Sequence, residues 1–237
     1  MKARKIILPF FLILLLGLII AGSMLGTGFF GRQDWGLLSA EILFILLVLF
    51  FWVFEEGKTS AREIALIAVL GAVAAVGRIP FAALPNVQPA TFVVIVSGFV
   101  LGPRAGFMVG STAALVSNFF LGQGPWTPWQ MFAWGLAGSS AGVLKYVFPG
   151  TGSKGMIVFN FIWGYLFGWM MNLWFWTAFT HPPNWKTFLA TCAASFWFDT
   201  FHALGNALFC IVFGTGLIKI LKRMQRKLTV EDIADLT

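Results

Sequence analysis

The chain carries very little charge. Asp, Glu, Lys and Arg make up 11% of its 237 residues, against about 25% in an average soluble domain. Hydrophobic residues make up 59%. Charges this sparse cannot cover the surface of a water-soluble fold, so the soluble classes are excluded and the chain is an integral membrane protein. Cysteine is scarce too, with only Cys192 and Cys210. On one predicted helix they would lie about 27 Å apart, too far for a disulfide, and they read as packing residues. No C-x-x-C or Cys/His ligand spacing occurs, so no metal site is expected. Two facing carboxylates and an Arg-rich voltage-sensing helix are also lacking.

Nucleotide and catalytic motifs are missing for the same kind of reason. Gly150-Thr151-Gly152-Ser153-Lys154 looks like a phosphate loop but lacks the spacing and the preceding strand of a Walker A motif. Any ATP energy must come from another subunit. Gly138-Ser139-Ser140-Ala141-Gly142 matches G-x-S-x-G, and Asp199 and His202 follow in hydrolase order. A nucleophile elbow needs a strand–turn–helix, whereas this pentapeptide falls inside a predicted helix. With Ala133, Ala137 and Ala141 it reads as small-residue packing. No catalytic residue, no cofactor of its own and no nucleic-acid partner are expected; the chain is not read as an enzyme.

What the sequence has instead is apolar runs. About 20 apolar residues cross the hydrocarbon core, and candidate spans fall at 6–25, 37–54, 63–78, 90–102, 104–121, 129–148, 155–179 and 187–220. The fourth is short and turns straight into the fifth at Gly102-Pro103-Arg104, as a tight helical hairpin would. The eighth is too long for a perpendicular crossing, so its outer end is expected to lie along the interface or protrude. With the N-terminus in the cytoplasm, thirteen Lys/Arg fall inside and only Arg32, Arg78 and Lys186 fall outside. That bias places both termini in the cytoplasm. Residues 1–25 have the basic start and small-residue end of a signal peptide, but the run is long enough to span and is read as a retained helix. The fold class is therefore an all-α, multi-pass membrane protein. Residues 1–57 form a two-helix extension, 58–222 a six-helix core and 223–237 a cytoplasmic tail.

Three features stand out. Ala61, Ala65, Ala68, Ala72 and Ala75 are spaced four, three, four and three, which puts them on one helical face where another backbone can approach closely. That face serves packing within the bundle or docking to a separate membrane subunit. Ser195, Asp199, His202 and Asn206 form a polar stripe on the last span, which must face the bundle interior. Asp199 and His202, three residues apart, are expected to pair as an internal lock, with ligand contact or a proton relay as the alternative. Finally, three proline-rich loops share one membrane face: 78–89, 122–130 and 181–185. Prolines stiffen them, and Asn86, Gln88, Gln123 and Gln130 add neutral hydrogen-bonding groups that an interfacial aromatic belt does not need. Such loops suit a largely uncharged, amide-bearing small molecule. The expected ligand residues are Arg78, Phe81, Leu84, Pro85, Asn86 and Gln88 from the first loop. Gln123, Trp126, Thr127 and Gln130 come from the second, with Asn172, His181 and Trp185 near the third.

On the alanine stripe, Pro85-Asn86-Val87-Gln88-Pro89, Gly102-Pro103-Arg104-Ala105-Gly106-Phe107 and the run Ser117–Gln130, residues 60–222 resemble the substrate-binding S-component of an energy-coupling factor (ECF) vitamin transporter. The run from Ser117 is most similar to cobalamin-specific members. The resemblance implies a binding subunit in the bacterial plasma membrane that takes cobalamin at its outer face. Its partners would be a transmembrane coupling subunit, met by the alanine face, and two ATPases, with the ligand delivered by toppling of the subunit in the membrane. S-components usually have six helices; the two extra ones here should pack away from the alanine face. The runner-up is a proton-coupled transporter with Asp199 and His202 as relay.

Overall fold

The computed structural model describes residues 59–181 and 184–234, with isolated positions between 43 and 54, and only the backbone of 228–234. The described residues form helices joined by loops, without a strand. The helices are α1 (Ala61–Arg78), α2 (Ala90–Leu101), α3 (Pro103–Leu121), α4 (Thr127–Val147), α5 (Ser153–Phe179), α6 (Trp185–Ala194) and α7 (Phe196–Ala234), with a 3-10 turn at Ile79–Phe81. Among the described residues, three helical stretches are long and apolar enough to cross a membrane: Ala61–Phe81, Ser153–Phe179 and Phe196–Lys227.

Helix α2 is the centre of the bundle. Its run of Val, Ile and Phe is apolar all round, as a helix enclosed on every side must be, and every residue from Ala90 to Val100 is buried. Twelve residues rise only about 18 Å, so α2 does not cross a bilayer by itself. The hairpin expected at Gly102 is present: Gly102 adopts φ 100, a left-handed conformation open to glycine, and Pro103 then opens α3. Glycines bring the α2, α3 and α4 backbones together. A side chain at Gly106 would meet the backbone of both Gly98 and Gly138, and one at Gly138 would meet Gly106. The G-x-S-x-G pentapeptide is thus a packing surface.

The last predicted span is not one helix. It breaks at Ser195 into α6 and α7, so the outer end of the predicted span is a separate short helix. Asn184 makes that start independent, because its side chain accepts from the Lys186 and Thr187 amides in a capping box. The excess length lies at the opposite end, where α7 continues as helix to Ala234, beyond the expected boundary at 222. Cys192 and Cys210 consequently sit on different helices, and both are free thiols.

The loops 79–89, 122–126 and 180–184 gather at one end of the bundle. The other end carries Lys145, Lys219 and Lys222 around one cleft. Of the extension, Leu43, Ile45, Leu47 and Phe54 are buried; Phe54 joins the main core cluster and Leu47 the smaller one around Trp134. The first predicted span lies outside the described residues.

Candidate binding site at the loop end

The site is built around α1's last residue. Arg78 is buried, with 8% of its surface exposed. Its Nε donates to Gln88 Oε1 at 2.9 Å, and its Nη1 donates to Asn118 Oδ1 at 3.2 Å and to Ser117 Oγ. The guanidinium lies over the Trp134 ring, 4.6 Å from its centre, a cation–π contact. Asn118 Nδ2 in turn donates to Thr127 Oγ1 at 3.0 Å and Gln130 Oε1 at 2.8 Å, and Thr127 donates to Gln123 Oε1 at 2.8 Å. The first and second loops are therefore tied together through Arg78 and Asn118.

A second chain of hydrogen bonds starts from the same tryptophan. Trp134 Nε1 donates to Thr91 Oγ1 at 2.8 Å, and Thr91 Oγ1 lies 2.8 Å from His202 Nε2. His202 Nδ1 is 2.9 Å from Asn86 Oδ1, and Asn86 Nδ2 donates to the Phe198 carbonyl at 3.2 Å. An indole only donates and a peptide carbonyl only accepts, so the roles between them are fixed. Thr91 donates to Nε2, and Nδ1–H donates to Asn86. The imidazole is stacked on Phe167, which is stacked on Trp134. Asn86 has φ 59, a left-handed conformation that asparagine tolerates better than most residues, and both ends of its amide are used to hold it there.

The expected Asp199–His202 pair is not formed. Both imidazole nitrogens are taken by Thr91 and Asn86, and Asp199 Oδ2 accepts from Ser195 Oγ at 2.8 Å, whose oxygen accepts from Asn172 Nδ2 at 2.7 Å. The reason is local: the chain break at Ser195 turns its hydroxyl onto Asp199, and Gly168 leaves room for the carboxylate, which a side chain there would strike. The stripe does face inward, since Asp199, His202 and Asn206 are all buried.

Two cavities open at this end. One, of about 520 Å³, is lined by Arg78, the 81–88 loop, Leu121 and Phe198. The other, of about 590 Å³, lies between α5 and α6 and is lined by Asn172, Ser195, Phe198, Phe175, two alanines and three threonines. Phe198 borders both. The structure thus brings together Arg78, Phe81, Leu84, Pro85, Asn86 and Gln88 in one cavity and places Asn172 in the next. Gln123, Thr127 and Gln130 brace the loops and line neither of these two cavities. Trp126 packs edge-on against Trp174. His181 and Trp185 are exposed and line neither space. Sequence reasoning did not find Leu121, Phe198, Thr91 or Trp134. Trp134 carries no polar neighbour in sequence to signal its position, whereas Thr91, alone among the apolar residues that open α2, was a detectable signal.

A family model described as ECF transporter, substrate-specific component, matches residues 62–221. The chain belongs to that family. It is also similar to two UPF0397 proteins of Aliivibrio fischeri, from strains MJ11 and ATCC 700601 / ES114. Each is 23% identical over 184 residues, covering 72% of this chain and 95% of the relative. No solved structure matches. Membership makes this a membrane transport component and not an enzyme. The matched region begins in α1, ends inside α7 and contains the whole site, while residues 1–57 lie outside it. On α1, Ala61, Ala65, Ala68 and Ala72 are exposed beside Ile64, Val69, Val73 and Val76, whereas Ala75 is 1% exposed and packs inward. The five-alanine face is thus a four-alanine face, because the stripe winds toward the core as α1 approaches Arg78.

Proposed function

We propose that this ECF substrate-specific component binds a vitamin in the cavity beside Arg78 and Asn86, with the loop end facing outward. The observation that carries the reading is the cavity: about 520 Å³, inside the 300–1,000 Å³ range of small-molecule sites, with a proline-stiffened wall pinned by the Asn86–His202 contact. The basic residues of the opposite end support the orientation. The exposed alanines of α1 meet a transmembrane coupling subunit, two ATPases supply the energy, and toppling in the plasma membrane delivers the ligand.

Cobalamin is the ligand that the likeness of residues 117–130 points to. A smaller vitamin is the second reading, favoured by the volume, because a corrin would have to extend past Phe198 into the neighbouring space. The test is uptake of labelled cobalamin and of smaller vitamins into vesicles holding this chain with its coupling subunit and ATPases. ATP-dependent uptake that survives a protonophore is expected. Uptake without ATPases, abolished by a protonophore, would replace this reading with a proton-coupled one. The separation of Asp199 from His202 gives such a relay no direct path.

A further inference from the structure

Among the described residues Arg78 is a buried cation without a counter-ion. Its partners Gln88, Ser117 and Asn118 are neutral, and its Nη2 has no partner among the described residues. Between Glu63 and Glu231 the chain has one carboxylate, Asp199, and that group is buried and bonded to Ser195. Burying an unpaired charge costs several kcal/mol, and ionisable residues within membrane segments mark substrate pathways. The carbonyl ends of α1 and α3 offset part of that cost, since Arg78 closes α1 and bonds the last turn of α3. A helix end supplies only about half an elementary charge; it is no substitute for an anion. Arg78 also lines the 520 Å³ cavity, so the missing anion has room to arrive there.

We propose that the transported ligand carries an anionic oxygen group, a carboxylate or a phosphate, that docks on the open Nη2 of Arg78. The proposal rests on the site assigned above and revises the sequence-based expectation of a largely uncharged ligand. Gln88, Ser117 and Asn118 fix the plane of the guanidinium, and the Trp134 face holds it from below. What remains open is Nη2, whose two N–H groups can each donate to an anionic oxygen. No proton or electron moves; recognition is by charge-assisted hydrogen bonds.

The test uses the purified full chain in detergent and matched pairs differing in the anionic group. The pairs are nicotinate with nicotinamide, biotin with biotinamide, pantothenate with pantothenol, and cobinamide phosphate with cobinamide, which lacks only the phosphate. Binding is measured by calorimetry for wild type, Arg78→Lys and Arg78→Gln, with thermal unfolding to confirm the fold. For at least one pair, the anionic member should bind about 10- to 100-fold more tightly than its neutral partner. That preference should vanish in Arg78→Gln and partly persist in Arg78→Lys. A carboxylate preference or a phosphate preference identifies the source. Binding that ignores both the anionic group and Arg78 overturns this inference while leaving the vitamin site standing. Binding of no member to a folded protein overturns both. Should Arg78→Gln not fold, the acid-to-amide ratio in wild type and Arg78→Lys decides alone.

Discussion

Replacing Asn86 tests whether the first loop is held shut by the buried histidine. In Asn86→Ala, His202 Nδ1–H loses its acceptor, which costs about 1–3 kcal/mol for a buried donor left unmade, and the Phe198 carbonyl loses a bond worth about 1 kcal/mol. Alanine at φ 59 adds about 1–2 kcal/mol of backbone strain. The total is about 3–6 kcal/mol against the closed loop. Asn86→Gly removes the strain but still orphans His202, so its effect should be smaller by roughly that 1–2 kcal/mol. If only 2 kcal/mol reaches the ligand-ready arrangement, affinity falls about 30-fold. Amide exchange across 79–89 and calorimetric affinity, measured on both variants, read the two consequences. Exchange should quicken and affinity fall in both, more in the alanine variant. Unchanged exchange and affinity in Asn86→Ala would refute the latch, whatever the expression level.

Other sites give independent checks. Gly138→Ala drives a Cβ into the Gly106 backbone and should destabilise by at least the 1–3 kcal/mol of ordinary overpacking, whereas Gly216→Ala, which meets open space, should not; equal melting temperatures would contradict the three-helix glycine contact. Ala68→Leu with Ala72→Leu should spare ligand binding and stop transport, and normal uptake would remove the docking role from α1. A cross-link from Ala65→Cys to either helix of the extension would show that the extension covers this face. Phe198→Ala should join the two cavities and improve the relative affinity for larger ligands; an unchanged size preference would show that Phe198 is not the partition.

The helical class, the tight turn at Gly102 and the gathering of three loops at one end could be read from hydrophobic run lengths and from Gly and Pro placement, because those signals are local. Run length misled at 187–220. An apolar stretch keeps its hydropathy across a break, and the local signal was the Asn184 and Thr187 capping box together with Ser195, polar groups too few to lower the average of the run. Spacing by three correctly set Asp199 and His202 on one side of α7. It could not show that Thr91 and Asn86, more than a hundred residues away, would claim the imidazole first. Arg78 was legible as a loop-end charge; that its partners among the described residues are all neutral emerges only in space.

The most direct test of the central claim is retention of a vitamin by the purified chain, measured by mass spectrometry after incubation with cobalamin and the smaller vitamins and washing. Wild type and Ala83→Trp, which fills the cavity beside Arg78 from its own wall, are compared at equal folded concentration. The account predicts retention near one equivalent of one vitamin by wild type and its loss in Ala83→Trp. Undiminished retention by the filled variant would place the substrate elsewhere and contradict the account.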